Sequence, residues 1–170
     1  MSGAANHRGK SRQDFATPWE FIAAVERRFG VVTLDLAASW HNAKTRWYLS
    51  EAHDSLTWDW LRLSEVFGGW LWLNPPFGNI APWAKKCAES DAPVLMLVPA
   101  SVGANWWRDY VHGVACVHCL NGRINFNGKA VFPKDCALVE YGSGLAPDYL
   151  VWTWPDEVTP QALLFGEVAA

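Results

Sequence analysis

A run of four apolar residues, Trp70 to Leu73, followed at once by Asn-Pro-Pro, constrains this chain more than any other stretch. Such a run is typical of a strand that is buried on both faces of a sheet. The strand must end there, because Pro75 and Pro76 have no N–H to donate and their φ angles are fixed. Asn74 precedes a proline and is therefore held in an extended conformation. The sequence predicts a buried strand that ends in a rigid corner.

The chemical groups of this corner suit a planar amine as ligand. The side-chain oxygen of Asn74 and nearby main-chain carbonyls can accept hydrogen bonds from an NH2 group. Phe77, directly after the prolines, offers a flat face on which the ring carrying that amine can stack. Open α/β sheets bind their ligands at the carboxyl ends of strands, where this corner lies. The alternative is a simple strand-terminating turn, and the tetrapeptide by itself favours neither interpretation.

The first residues with structural character have the pattern of a helix start. Thr17 is predicted as the N-cap, Pro18 as the first helical residue and Glu20 as the capping-box partner, and Gly30 is predicted to end the helix. Further helices are predicted at residues 80–89 and 105–111, and strands at residues 31–35, 70–73, 93–98, 114–120, 135–141 and 149–154. This alternation favours an α/β sandwich with a mostly parallel sheet and helices on both faces.

Two acidic residues are candidates for ligand binding. Asp35 ends the first predicted strand, and a carboxylate at that place in a doubly wound fold lies near a nucleoside or a charged ligand. An Asp that caps the next turn explains the same residue equally well. Asp54 lies in a loop beside aromatic residues and suits the amine or hydroxyl groups of a nucleoside.

Length and composition narrow the class of protein. The 170 residues fit a polar leader, residues 1–14, and a single domain, residues 15–170. The net charge of −3 argues against binding nucleic acid through overall charge. Local cations such as Arg123 and Lys129 remain candidates for phosphate contacts. No stretch approaches the roughly 20 apolar residues of a membrane span, and there is no apolar signal region, so we expect a cytoplasmic protein.

The cysteines favour neither disulfides nor a metal site. The four cysteines are too scattered for a small disulfide scaffold. Cys116, His118 and Cys119 look like half of a zinc site, but no second Cys/His pair accompanies them. Their surroundings predict a strand, on which residues three apart point to opposite faces. We therefore expect buried structural cysteines and no metal.

Taken together, these pieces resemble the small phage- and prophage-type DNA N6-adenine methyltransferases, the compact Dam-like family. The resemblance runs from Thr17 to about Tyr141, and the order and spacing of its motifs are fairly specific. An Asn-Pro-Pro-aromatic element also occurs in methyltransferases that act on RNA and on protein glutamine. The matching motifs are Thr17-Pro18, Leu34 to Ala38, Asn42-Ala43, Asp54 with Leu56, Asn74 to Phe77, Pro99-Ala100, and Gly122 to Ile124 with Phe126.

The resemblance implies a Rossmann-like methyltransferase fold that binds S-adenosylmethionine (SAM) at the strand ends. It departs from the broader methyltransferase pattern in having no glycine-rich loop after the first strand. By the resemblance, cofactor contacts are expected from Thr17 and Pro18 at the methionine end, from Asp35, Ala37 and Asn42, from Asp54 at the adenosine, and from Asn74. Catalytic roles are expected for Asn74, Pro75, Pro76 and Phe77, with Phe77 replacing the commoner tyrosine.

The implied reaction is direct methyl transfer to the N6 of an adenine that has flipped out of duplex DNA. The oxygens of Asn74 and Pro75 would bond the target amine, and Phe77 would stack on the base. Two alternatives stay open at this point. The substrate is RNA adenine or protein glutamine instead, or the chain is a degenerate methyltransferase fold that only binds nucleic acid or a protein.

Overall fold

The computed structural model describes residues 15–128 and 130–157. The predicted polar leader therefore lies outside the described residues. Within them the helices are α1 (Trp19–Phe29), α2 (Trp60–Phe67), α3 (Ala81–Glu89) and α4 (Asn105–Tyr110). The strands are β1 (Val32–Asp35), β2 (Trp47–Tyr48), β3 (Trp70–Leu73), β4 (Val94–Pro99), β5 (Cys116–Asn121), β6 (Cys136–Tyr141) and β7 (Tyr149–Thr153).

The strands form one mixed sheet in the order β2-β1-β3-β4-β6-β5-β7. β1 pairs in parallel with β2 and β3, and β3 pairs in parallel with β4. β6 is antiparallel to both β4 and β5, whereas β7 is parallel to β5. The α/β class is confirmed. The short strand β2 and the antiparallel place of β6 inside the sheet were not predicted.

Helices cover both faces of the sheet, because its central strands are apolar on both sides. On β3, Leu71 and Leu73 belong to one core cluster and Trp72 belongs to the other. The first cluster also contains buried residues of α2, α3 and α4, whereas the second contains Phe21 and Val25 of α1. The carboxyl end of β3 is thus held firmly between two packed layers.

The start of α1 differs from the prediction. The helix begins at Trp19, with Pro18 as an extended N-cap residue that makes no side-chain capping bond. Thr17 is not the cap, because its hydroxyl accepts a hydrogen bond from the side chain of Asn74 at 3.1 Å. The predicted C-terminal end is confirmed, since Gly30 follows the helix with a φ of 101° that favours glycine.

Across the described ranges, each helix falls short of the length and apolar character that a membrane crossing requires.

Candidate functional site

The candidate site lies at the edge of the sheet where the parallel strands β1, β3 and β4 end. Asp35 is the last residue of β1, and Asn74 directly follows β3. A cavity of about 730 Å³ opens there, a size that suits a small-molecule ligand. Its lining includes Thr17, Asp35, Ala37, Asn42, Asp54 and Asn74, so the fold brings together six of the seven residues expected to contact the cofactor. Pro18 is not part of the lining.

Asp35 is buried at the base of this cavity, with 2% of its surface exposed. Its Oδ1 accepts a hydrogen bond from the amide of Ala37 at 3.3 Å, and its Oδ2 accepts one from the amide of Lys44 at 3.0 Å. Burial raises the pKa of this carboxyl to about 6, against the opposing effect of the two amides. Asp35 therefore caps the turn after β1 and is also one of the residues that line the cavity.

Lys44 is a cavity residue that was not among the cofactor-binding residues predicted from the sequence. Burial lowers its pKa, while the nearby carboxylates of Asp35 and Glu20 act in the opposite direction. Its Nζ lies 4.5 Å from the centre of the Trp19 ring. The sequence signal for it is weak, since a lysine nine residues after an acid is an ordinary surface residue in most proteins.

Asn42 and Asp54 line the cavity through loops. The Oδ1 of Asn42 accepts hydrogen bonds from the amide of Ser39 at 2.7 Å and from its hydroxyl at 3.1 Å. Asn42 thus stabilises the conformation of the loop that follows β1. Asp54 is exposed and has a left-handed backbone, with φ 46° and ψ 68°. Non-glycine residues in that region are sparse and concentrate at functional sites.

Asn74 has its amide group fixed in one orientation. Its Nδ2 donates to the main-chain oxygen of Phe15 at 2.6 Å and to the hydroxyl of Thr17 at 3.1 Å. Because a carbonyl cannot donate, the nitrogen must face Phe15 and the oxygen must face the other way. That Oδ1 is buried and has no hydrogen-bond partner among the described residues. A buried unpaired acceptor costs about 1–3 kcal/mol, which a ligand N–H would offset.

The remainder of the corner faces an aromatic cluster. Pro75 is buried, whereas Pro76 is exposed and lines the cavity beside Asn74. The ring of Phe77 stacks on the ring of Phe15, with centroids 5.2 Å apart and planes at 23°. Phe126 and Phe132 contact both of these rings. We call the four phenylalanines 15, 77, 126 and 132 the phenylalanine cluster.

A second cavity, of about 430 Å³, adjoins this cluster. Its lining includes Phe15, Phe77, Pro99, Trp106, Phe132 and Lys134. Phe15 belongs to the lining of both cavities. None of Phe15, Trp106 and Phe132 was named from the sequence, because nothing in the spacing of these aromatic residues marks them as neighbours of Phe77.

The predicted DNA-binding residues are only partly within the described structure. Arg123 is exposed, and its guanidinium donates to the main-chain oxygen of Pro133 at 3.3 Å and lies 3.3 Å from the carboxylate of Asp135. Lys129 lies outside the described residues. The role of Arg123 in binding phosphate therefore stays a prediction, with Asp135 competing for its charge.

A separate buried cluster joins Cys116 and His118 of β5 with Glu140 of β6. Their ligand atoms lie within 4.8 Å of one another, and His118 Nε2 is 2.8 Å from a Glu140 carboxylate oxygen. Sulfur, nitrogen and oxygen ligands of this kind are ones that zinc accepts. One of the two imidazole nitrogens of His118, Nε2, is already paired with the carboxylate of Glu140. Glu140 was missed in the sequence because it lies on another strand, 22 residues from His118.

The fold and the cavities define an α/β protein with a ligand site at the carboxyl ends of its parallel strands. Residues 4–141 match the family described as DNA N-6-adenine-methyltransferase (Dam), and the chain belongs to this family. The resemblance inferred from the motifs is thereby confirmed, and with it the class of enzyme.

Two phage proteins are similar to the chain, both named DNA N-6-adenine-methyltransferase. The protein of Haemophilus phage HP1 is 26% identical over 132 residues, which cover 74% of this chain and 73% of the relative. The protein of Escherichia phage T1 is 32% identical over 101 residues, which cover 58% of this chain and 40% of the relative.

Proposed function

We propose that this protein transfers a methyl group from SAM to the exocyclic N6 of an adenine in DNA. The observation that carries the proposal is the buried Oδ1 of Asn74, which has no partner among the described residues and belongs to a residue that lines a ligand-sized cavity. Family membership supplies the reaction class. The fold proposed with this activity is a Rossmann-like methyltransferase sandwich, supported by parallel β1, β3 and β4 and by helices on both faces.

The 730 Å³ cavity fits SAM in size and in the chemistry of its lining. Asp35 offers a buried carboxyl group to an ammonium or hydroxyl group, and Asp54 offers a second carboxylate at a loop. Ala37 permits close approach of the ligand to the turn after β1, in place of a glycine-rich loop. When bound, SAM supplies a methyl group that is activated by a positively charged sulfur.

Asn74 would hold the amine that receives the methyl group. The lone pair of the adenine amine is delocalised into the ring, so the amine is a poor nucleophile. Hydrogen bonds from its N–H groups to Asn74 Oδ1 and to the carbonyl of Pro75 would localise that lone pair. The positive charge that grows on the nitrogen then meets oxygen dipoles that are already oriented. Phe15 and Thr17 act here as positioning residues, because they fix the amide of Asn74.

The adenine must leave the DNA duplex to reach Asn74. Flipping a base costs roughly a few kcal/mol, which is offset when the base stacks on an aromatic side chain. Phe77 follows Asn74 by three residues and is half-buried at the wall of the second cavity. The partner implied by this reaction is adenine-containing duplex DNA.

Incubation with methyl-labelled SAM tests the proposal directly. The protein is mixed with duplex DNA of mixed sequence, with RNA and with glutamine-containing peptides, followed by nucleoside analysis and mapping of the modified positions. Label in N6-methyladenine of DNA is the expected result. Label in RNA or peptide alone would move the activity to another substrate. No label in any arm, with no SAM-induced change in tryptophan fluorescence of the folded protein, would leave a binding module.

A further inference from the structure

Phe15 has a position that conflicts with simple stacking of a base on Phe77. The two rings are already stacked, with centroids 5.2 Å apart and planes at 23°. A base inserted between two parallel rings needs van der Waals contact on both sides, which requires about 7 Å between the rings. The observed spacing therefore leaves no room for a base between Phe15 and Phe77.

Phe15 also belongs to the lining of both cavities. It lines the larger cavity together with Asp35 and Asn74, and it lines the second cavity together with Phe77 and Trp106. A base that receives a group from a donor in the first cavity must come within about 3–3.5 Å of it. A base cannot lie on this face of Phe77 while the ring of Phe15 is stacked there.

We propose that the ring of Phe15 occupies the place of the target base in the free protein. The flipped nucleobase then replaces this ring on the face of Phe77. The inference rests on the function proposed above and adds a residue to it. The ligand of this face is a planar heteroaromatic base, which matches the phenyl ring in shape and in its ability to stack. Phe15 keeps the face covered in the free protein, and a base must compete with it.

The local structure allows the ring of Phe15 to move without disturbing Asn74. Phe15 is half-buried and lies outside any helix or strand. Its bond to Asn74 is made by the main-chain oxygen, so a rotation of the side chain leaves that bond intact. The ring is held by contacts with the rings of Phe77, Phe126 and Phe132. These are ring contacts, so moving the ring breaks no hydrogen bond. Stacking between two aromatic side chains and stacking of a base on an aromatic side chain have similar free energies. Replacement of the Phe15 ring by a base is therefore close to balanced in free energy.

The inference predicts effects of opposite sign for the two stacked residues. Phe15→Ala removes the competitor, so DNA with a displaced base binds about tenfold tighter, which corresponds to about 1.4 kcal/mol. Phe77→Ala removes the stacking face, so the same DNA binds more weakly. Phe15 acting as a fixed wall of the base site would instead give weaker binding in both variants.

The measurement uses a duplex that carries the methylated site mapped above, with a fluorescent adenine analogue at the target and an abasic position opposite it. The fluorescence of the analogue reports unstacking, and a titration gives the affinity for wild type and variants. Phe67→Ala is the matched control, because Phe67 in α2 is half-buried like Phe15 but packs on Trp47 and lines neither cavity. We expect no gain in affinity from this control.

Thermal unfolding shows whether each variant is folded, and Phe15→Leu replaces Phe15→Ala if the alanine variant does not fold. A gain of affinity in the Phe15 variant, with none in Phe67→Ala, supports the inference. Unchanged or weaker binding by the Phe15 variant, while wild type still displaces and methylates the base, overturns the inference alone. Absence of any methylated site in wild type removes the proposed function and this inference together.

Discussion

The two cavities beside the corner after β3 differ in how they are built. The first combines apolar residues such as Trp72 and Trp83 with the polar side chains of Asp35, Asn42 and Lys44. Hydrogen bonds to the backbone fix Asp35 and Asn42. The second is lined by Trp106 and by three members of the phenylalanine cluster, Phe15, Phe77 and Phe132, whose rings contact one another. Directional bonds preform a site, whereas ring contacts can be exchanged for contacts with a base. Asn74 belongs to the first cavity and lies three residues from Phe77 in the second.

The largest effect is expected at the boundary between the two cavities. Asn74→Ala removes an oriented acceptor of the target amine, and methylation should fall at least ~100-fold, as when one preorganised transition-state partner is lost. SAM binding should largely survive, since the rest of the polar lining is unchanged. Single-turnover methylation and a fluorescence titration with SAM measure the two quantities. Asn79→Ala, at an exposed residue just beyond the corner, is the control. Near wild-type turnover in Asn74→Ala would show that Asn74 only ends the strand and does not take part in the reaction.

The next effect belongs to the aromatic cavity. Phe77→Ala should weaken binding of DNA with a displaced adenine by about 10-fold or more, because base stacking on an aromatic side chain contributes about 1–3 kcal/mol. SAM binding should not change, since Phe77 lines only the second cavity among the two described. Titrations with DNA and with SAM separate the two ligands. Equal loss of both would show that the cavities do not act independently.

The role of the first cavity in binding SAM is tested by the variant Asp35→Asn. The pKa of about 6 means that wild-type Asp35 gains a proton as the pH falls through 6. We expect SAM binding by wild type to weaken below that pH. The variant should bind SAM roughly 10-fold more weakly at neutral pH, because a hydrogen bond to a charged group is replaced by a weaker one. Its binding should be flat across the same range. Titrations between pH 5 and pH 8 measure this, with the exposed Asp91→Asn as control.

Asp35 also makes stability depend on pH. Its pKa is raised from 3.8 to about 6 on folding, so the folded state binds the proton more tightly than the unfolded state does. The contribution of Asp35 to the free energy of unfolding therefore falls as the pH rises from about 4 to about 6, by roughly 3 kcal/mol, and then stays level. Denaturant unfolding of wild type and Asp35→Asn across that range should show this decline as a difference between the two proteins. A decline of equal size in both proteins would assign it to other groups.

The smallest effect is expected outside both cavities. Arg123→Ala should weaken DNA binding only a few-fold and lower the slope of affinity against salt by about one, as for one phosphate contact. The ion pair with Asp135 limits the effect, because part of its charge is already neutralised. Binding titrations at several salt concentrations measure the slope. The exposed Arg62→Ala, in α2, is the control, and equal slopes in both variants would exclude a specific role for Arg123.

The sequence correctly predicted those structural features that depend on residues close together in the chain. The bounds of β3 agree with the apolar run Trp70 to Leu73, and Gly30 ends α1 as its position predicted. These features depend on neighbours in sequence: proline cannot continue a ladder, and glycine tolerates a positive φ. Thr17 was misassigned because a capping signal describes only the next four residues. Its hydroxyl bonds instead to Asn74, 57 residues away.

By itself, the sequence determined the α/β class, the rigid corner at Asn74 and the family to which the chain belongs. Only the tertiary structure decided the orientation of the Asn74 amide, the elevated pKa of Asp35 and the stacking of Phe15 on Phe77. Each of these depends on burial or on contacts between segments distant in the chain. Such contacts follow from how the elements pack, whereas a sequence pattern records only which elements form.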